Sequence, residues 1–194
     1  MTMSFVPAEA TGPTYYDIVD SPVGRLLLIG NERALTGLYM LDTGGHPTAL
    51  RADWIRRADG FSGAAGQLAE YFAGSRTTFD LTLAPSGSPF QLAVWAELAR
   101  IPYGVTTSYG EVALAIGKSL LASRAVGLAN GRNPISIIVP CHRVIGADGS
   151  LTGYGGGLER KEWLLRHEGA PFGVGDPRRG RGAGSDREEQ PTLF

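Results

Sequence analysis

Between Ala84 and Pro89 the chain runs APSGSP, and this interruption separates two kinds of text. Proline, glycine and serine at that density favour a connecting loop over helix or strand. The pattern before the interruption is mostly of strands, and the pattern after it is mostly of helices. Strands followed by helices, without regular alternation, describe an α+β architecture. We expect residues 1–86 to form a small sheet-containing α/β unit, residues 87–170 a mainly helical unit, and residues 171–194 a tail.

In the first part TYYDIV and GRLLLIG are β-rich runs separated by the turn residues Asp20-Ser21-Pro22-Val23-Gly24. ALTGLYML, residues 34–41, can pair beside them as a third strand. Leu68, Tyr71 and Phe72 fall at helical spacing in a segment that stops at Gly74, and FDLTL, residues 79–83, reads as a further strand. In the second part Phe90, Val94 and Leu98 make one apolar face. Ser108 and Glu111 have the spacing of a capping box, in which each side chain satisfies a free backbone N–H. The helix they open carries Val112, Ala113 and Ile116 and is closed by Gly117. A second helix is expected over residues 119–130, so the pair is a helix-turn-helix candidate. ISIIV, residues 135–139, reads as a buried β-branched strand leading into Pro140-Cys141-His142-Arg143. A last helix is expected over residues 158–167. The tail is rich in Gly, Arg and Asp, poor in apolar residues, and expected to be disordered.

Composition narrows the function classes. Of the 194 residues 43% are hydrophobic and 19% charged, which suits a globular chain, and no apolar run reaches the length of a membrane span. The start, MTMSFVPAEATGP, lacks the basic and apolar segments of a secretory leader, so a cytoplasmic location is expected. A single cysteine excludes an internal disulfide, and with three histidines it makes a structural zinc site improbable. Residues 1–89 hold six Lys/Arg against nine Asp/Glu, and residues 90–170 hold eight against six. A polyanion would therefore meet the second part. The charge excess permits nucleic acid without establishing it.

Cys141 is the natural nucleophile. A thiol attacks as the thiolate, and its ionisation needs a base or a positive field. His142 is adjacent in sequence, and Glu168 closes the last helix; a carboxylate orienting an imidazole that takes a thiol proton is the logic of an activated nucleophile. A water can bridge the two neighbours, since adjacent side chains often point apart. The plain alternative is a small buried thiol beside a solvated histidine. GYGGG, residues 153–157, lacks the Lys-Ser/Thr of a phosphate-binding loop and the spacing of a dinucleotide fingerprint. On the second helix Ala122, Ala125 and Ala129 lie at i, i+3 and i+7 with Gly127 alongside. They can permit a close approach to the minor groove, about 6 Å wide, or pack against the neighbouring helix.

The run SRAVGLANGRNPISIIVPCHRVIG, residues 123–146, resembles the active-site region of the O6-alkylguanine-DNA alkyltransferases almost residue for residue. IPYGVTTSYGEVA before it and TGYGGGLERKEWLLRHEG after it agree. The resemblance is strong over residues 89–169 and weaker over the first part, through SPVGRLLLIG and YFAG. It implies a ribonuclease H-like antiparallel sheet domain followed by a winged-helix-like domain with a helix-turn-helix. It also implies direct, single-turnover DNA repair in which Cys141 displaces guanine from the alkyl carbon of O6-alkylguanine, and it leaves open whether O4-alkylthymine is a further substrate. His142 and Glu168 would form a proton relay, and Asn133 would brace the turn before the active-site strand. Tyr109 would hydrogen-bond the flipped base and help protonate the departing guanine. Arg124 would enter the duplex as the finger filling the vacated space, an extrusion that itself costs a few kcal/mol. Tyr154 would shape the pocket loop, and carbonyls of Cys141 and Val144 would accept from the guanine amine. At Gly155, where some members carry serine, a backbone N–H would contact the alkylated oxygen.

Lys161 occupies a family lysine position, although a lysine on an exposed helix is ordinarily a solvated charge. Ala125, Gly127 and Ala129 would face the groove. No cofactor or metal is implied, because this chain lacks the N-terminal cysteines of zinc-binding members. The expected partner is alkylated double-stranded DNA, bound in the minor groove by a monomer. Two other classes compete: a protein that recognises the lesion without reacting, against which the presence of Cys141 counts, and a thiol hydrolase using Cys141 and His142.

Overall fold

The computed structural model describes residues 3–8, 12–41 and 50–173. Almost all of the expected tail, residues 174–194, lies outside them. No described helix is long and apolar enough to cross a membrane.

The first half is a six-stranded sheet with one helix. Strands β1 (Ser4–Phe5), β2 (Tyr15–Val19), β3 (Leu26–Gly30), β4 (Leu35–Met40) and β5 (Ile55–Arg56) precede helix α1 (Ser62–Phe72), and β6 (Thr82–Leu83) follows it. The order across the sheet is β1-β6-β4-β3-β2-β5. The antiparallel part is the meander β2-β3-β4, with Asp17 opposite Leu28 and Leu28 opposite Leu38. Every residue of β3 is buried, as a central strand covered on both faces requires. The β2–β3 turn needs Gly24, whose φ of +95° is open to glycine but strained for residues with a Cβ.

The short outer strands pair in parallel and make the sheet mixed. Their pairings are non-local, and nothing in the letters of β1 and β5 marks those two as strands. The expected strand 79–83 shrinks to its last two residues because the Gln67 side chain takes the Asp80 N–H at 2.7 Å and donates to its carbonyl at 2.9 Å. Those two groups are then lost to any ladder.

In the second half α2 (Pro89–Leu98) starts on a capping box between Ser88 and Gln91 and buries Val94, Trp95 and Leu98. Strand β7 (Thr107–Ser108) leads into α3 (Tyr109–Ala115), whose Ser108–Glu111 capping box forms as the spacing predicts. Gly117, at φ +72°, ends that segment. A 3-10 turn over Leu120–Ala122 precedes α4 (Ser123–Gly131), so the expected helix 119–130 begins with a tighter turn. The Ser123 hydroxyl binds back to the Leu120 carbonyl across it. A 3-10 turn, Cys141–Arg143, and strand β8 (Val144–Ile145) follow, and β8 pairs in parallel with β7. Helix α5 (Leu158–His167) closes the described chain at the expected bounds.

The segment 135–139 is buried but is not a strand. Only Ile135 makes a bridge, to Leu38 of β4, while the Ile138 N–H turns back onto the Ser136 carbonyl at 2.8 Å. Ile137 is thereby held at φ +69°, a strained region for a β-branched residue. Asn133 explains why the propensity of this run loses. Its side chain accepts from the Ile135 N–H at 3.0 Å and donates to the Val139 carbonyl at 2.8 Å. One apolar cluster takes in Leu28, Leu38 and Tyr71 from the first half and Trp95, Val126, Ile137 and Leu164 from the second. The halves are thus packed through a shared core.

Candidate active site

Cys141 sits at the start of the 3-10 turn, 4% exposed, at the meeting of α4, the 135–139 turns and α5. Burial pushes its thiol up, while hydrogen bonding from Asn133 and the charge of Lys161 work toward the thiolate. The Tyr154 hydroxyl is buried beside the sulfur without a well-aligned hydrogen-bond partner. The Asn130 amide donates to the Cys141 carbonyl at 3.3 Å.

Behind the cysteine is a buried ionic cluster. His142 Nε2 lies 2.8 Å from Glu168 Oε1. Arg143 grips both carboxylate oxygens, Nε to Oε2 at 2.8 Å and Nη2 to Oε1 at 2.9 Å, and its Nη1 donates to the Ile101 carbonyl at 2.6 Å. Burial works to raise the Glu168 carboxyl, but hydrogen bonds and charge from His142 and Arg143 prevail and hold it well below the usual carboxylate range. His142 is pushed down, first by burial and further by Arg143 and Lys161, against the pull of Glu168. The imidazole is therefore neutral near pH 7. With its Nε2–H donated to an ionised Glu168, Nδ1 is the basic nitrogen, and it is buried without a hydrogen-bond partner in the protein. His142 is not hydrogen-bonded to Cys141 directly.

Lys161 departs from the solvated charge expected on a helix face. It is fully buried, and its ammonium donates to the Val144 carbonyl at 2.7 Å and the Thr152 carbonyl at 3.1 Å. The loop between β8 and α5 folds back over the first turn of α5, which converts an outward face into an inward one. Burial lowers its pKa to about 8, opposed by the charge of Cys141. Replacing Lys161 with methionine keeps the stem but strands the buried Val144 carbonyl, an expected loss of about 1–3 kcal/mol. Thermal unfolding of the two proteins side by side measures it.

The remaining predicted residues divide clearly. Tyr109 opens α3, half-buried, and its hydroxyl accepts from Thr152 Oγ1 at 2.9 Å. Burial raises it, so the hydroxyl stays protonated and can donate. Gly127 lies against the Tyr109 ring, where an added Cβ would sit 3.7 Å from it. Arg124 and Ala125 are exposed on α4. Ala129 is not: it is 3% exposed, and its carbonyl accepts from Trp95 Nε1 at 2.9 Å. Its smallness serves packing of α4 on α2, and the expectation that it faces a groove is corrected. Val144 is fully buried, with its carbonyl bonded to Lys161, and would offer a base its second lone pair, whereas the Cys141 carbonyl already accepts from both the Asn130 amide and the Val144 N–H. Gly155 is half-buried in the loop after Tyr154. Among the described residues no three His, Cys, Asp or Glu side chains gather as metal ligands would.

Sequence reasoning gave no role to Arg143, to Thr152 or to Tyr71. Tyr71 donates to Glu168 Oε1 at 2.7 Å from 97 residues away. Arg143 could have been noticed as a cation inside an apolar stretch; Tyr71 gave no signal beyond its helical spacing.

A mixed sheet joined to a helix-turn-helix, with one cysteine buried beside a His-Glu-Arg cluster, defines a class. The chain belongs to the 6-O-methylguanine DNA methyltransferase family: residues 14–85 match its ribonuclease-like domain and residues 89–170 its DNA binding domain. It is 55% identical to the methylated-DNA--protein-cysteine methyltransferase of Methanosarcina barkeri, over 79% of this chain and 96% of that one. The enzyme of the same name from Mycolicibacterium paratuberculosis is 56% identical over 79% and 91%. The crystal structure of Mycobacterium tuberculosis OGT in complex with DNA superimposes with a TM-score of 0.75 at 53% identity, covering 81% of this chain and 95% of that one.

Proposed function

We propose that this protein repairs O6-alkylguanine in double-stranded DNA by moving the alkyl group onto Cys141, once per molecule and without a cofactor. The observation that carries this reading is the His142–Glu168 contact, which leaves the free imidazole nitrogen basic in the cluster behind the chain's single cysteine. In the reaction the thiol proton passes to His142 Nδ1 through a bridging water, and Sγ attacks the alkyl carbon. The S–C bond forms as the C–O6 bond breaks, and the electron pair leaves on the guanine. A proton returns to the base, and the Tyr109 hydroxyl is the donor that the site offers.

The lesion must leave the helix to reach a thiol this deeply set. Arg124, exposed on α4, is suited to fill the gap, with Ala125 beside it permitting close approach to the minor groove. Tyr154, Gly155 and Lys161 line or hold the loop over the thiol, and Asn133 fixes the turns that present it. We read residues 1–86 as scaffold and 87–170 as the transfer unit, acting as a monomer in the cytoplasm.

Incubation with excess duplex carrying labelled O6-methylguanine should add one methyl mass to the peptide containing Cys141 and plateau near one methyl per protein. No label on the protein would mark a binder only, and continued product release would mark a hydrolase; either result overturns the reading.

A further inference from the structure

We propose that Tyr71, supplied by the sheet half, is a positioning residue of the relay: its hydroxyl fixes the Glu168 carboxylate that orients His142. This deepens the relay reading above and rests on it. The Tyr71 ring and the Tyr71 hydroxyl have separate explanations. The ring lies in an aromatic nest, with centroids 5.2 Å from Phe72, 5.6 Å from Phe79, 6.1 Å from Tyr103 and 5.1 Å from His167. A phenylalanine would fill that nest equally well. The hydroxyl does something a phenylalanine cannot, which is to donate to Glu168 Oε1 at 2.7 Å with the residue fully buried.

That oxygen is also the one His142 faces, at 2.8 Å, with Arg143 Nη2 at 2.9 Å. The other oxygen takes Arg143 Nε at 2.8 Å and the Gly104 N–H at 3.3 Å. Tyr71 therefore competes with His142 for the charge on a single oxygen and limits its swing. Arg143 and Lys161 also face His142, and Tyr103 faces Tyr71 and Glu168. The His167 ring packs on Tyr71 but spends its Nε2 on the Tyr71 carbonyl, at 2.8 Å. Tyr71 is kept protonated by burial and by the Glu168 charge, so it donates throughout the working range.

With the hydroxyl removed, Oε1 turns more of its charge toward His142, and the imidazolium is better stabilised. The sign follows: His142 in Tyr71→Phe titrates at higher pH than in the parent protein, and the acid limb of the transfer rate moves with it. The full-length protein and Tyr71→Phe should be compared in single-turnover methyl transfer from an O6-methylguanine duplex across pH. The expected result is an acid midpoint raised by roughly one pH unit, a plateau rate lowered because the carboxylate that orients His142 is no longer held by the Tyr71 hydroxyl, and an unchanged limit of one methyl per protein. The chain has three histidines, so the His142 ring resonance can be followed through the same titration and should shift upward in parallel. A midpoint and a His142 titration that both stay in place, with the variant folded, would assign Tyr71 to packing alone and overturn the proposal. His142→Ala in the same series tests the underlying relay. If it keeps the acid limb, the relay itself is wrong; if it loses the limb while Tyr71→Phe is unmoved, only the Tyr71 assignment falls.

Discussion

Cys141→Ala is expected to end methyl transfer completely while the protein still binds duplex DNA. The sulfur is the chain's single thiol, and nothing else beside His142 can become a soft nucleophile at neutral pH. A serine in its place would not substitute, since its hydroxyl ionises far above the reach of a neutral imidazole. Cys141 is 4% exposed, so removing Sγ alters no surface that DNA would touch, whereas Arg124 and Ala125 on α4 keep their places. Intact-protein mass spectrometry after exposure to methylated DNA should show no added methyl, and fluorescence anisotropy should show affinity close to that of the parent. A methyl group found on another residue of the variant would remove Cys141 from its role.

The second large effect belongs to Glu168. Glu168→Ala would leave the Arg143 guanidinium, whose side chain is 7% exposed, buried without its anion, and would free both the His142 Nε2–H and the Tyr71 hydroxyl. Breaking one side of a buried ion pair costs about 3–5 kcal/mol, which for a chain of this size lowers Tm by about 6–20 °C. Glu168→Gln keeps the shape but not the charge and should fall between. Stability against pH gives an independent check. The folded Glu168 carboxyl titrates below its ordinary value of 4.5, so its stabilisation is complete above that value and is lost as acid carries the pH down toward the folded one. His142 is likewise held below its ordinary 6.5 and adds a loss in the same direction, beginning as the pH falls through that value. Unfolding midpoints of the parent should thus drop steadily below about pH 6.5, and those of Glu168→Gln should drop less over the carboxylate range. Equal slopes would mean that the cluster contributes little to folding.

The ionic cluster also bears on how the thiol is kept safe. Arg143 neutralises much of the charge on Glu168, which lessens its pull on an imidazolium, and burial opposes ionisation of Cys141 and protonation of His142 alike. The resting pair is a neutral thiol beside a neutral imidazole. A protein that reacts once gains from this, because a standing thiolate would be spent on any passing electrophile.

Local signals were enough for the strands of the meander and for the helices that follow the linker, and the resemblance around PCHR pointed to Cys141, His142 and Glu168. Turn residues, capping boxes and apolar spacing act within a few residues, and each of them is written in the letters it governs. Where a side-chain hydrogen bond to the backbone or a covering loop intervened, those signals failed. Gln67 unpaired Asp80, Asn133 turned a β-branched run into tight turns, and the β8–α5 loop buried Lys161 that helical spacing alone left outside. Ala129 had the same small side chain whether it met DNA or Trp95, and only the packing of α2 on α4 decided between them.

The sequence by itself determined the order of elements, the single thiol and its histidine neighbour, because these are matters of chain order and local backbone preference. Which oxygen each donor reaches was decided only when α1, the Cys141 turn and α5 came together. Tyr71, Arg143, His142 and Glu168 are spread over 97 residues, and hydrogen bonds act over about 3 Å.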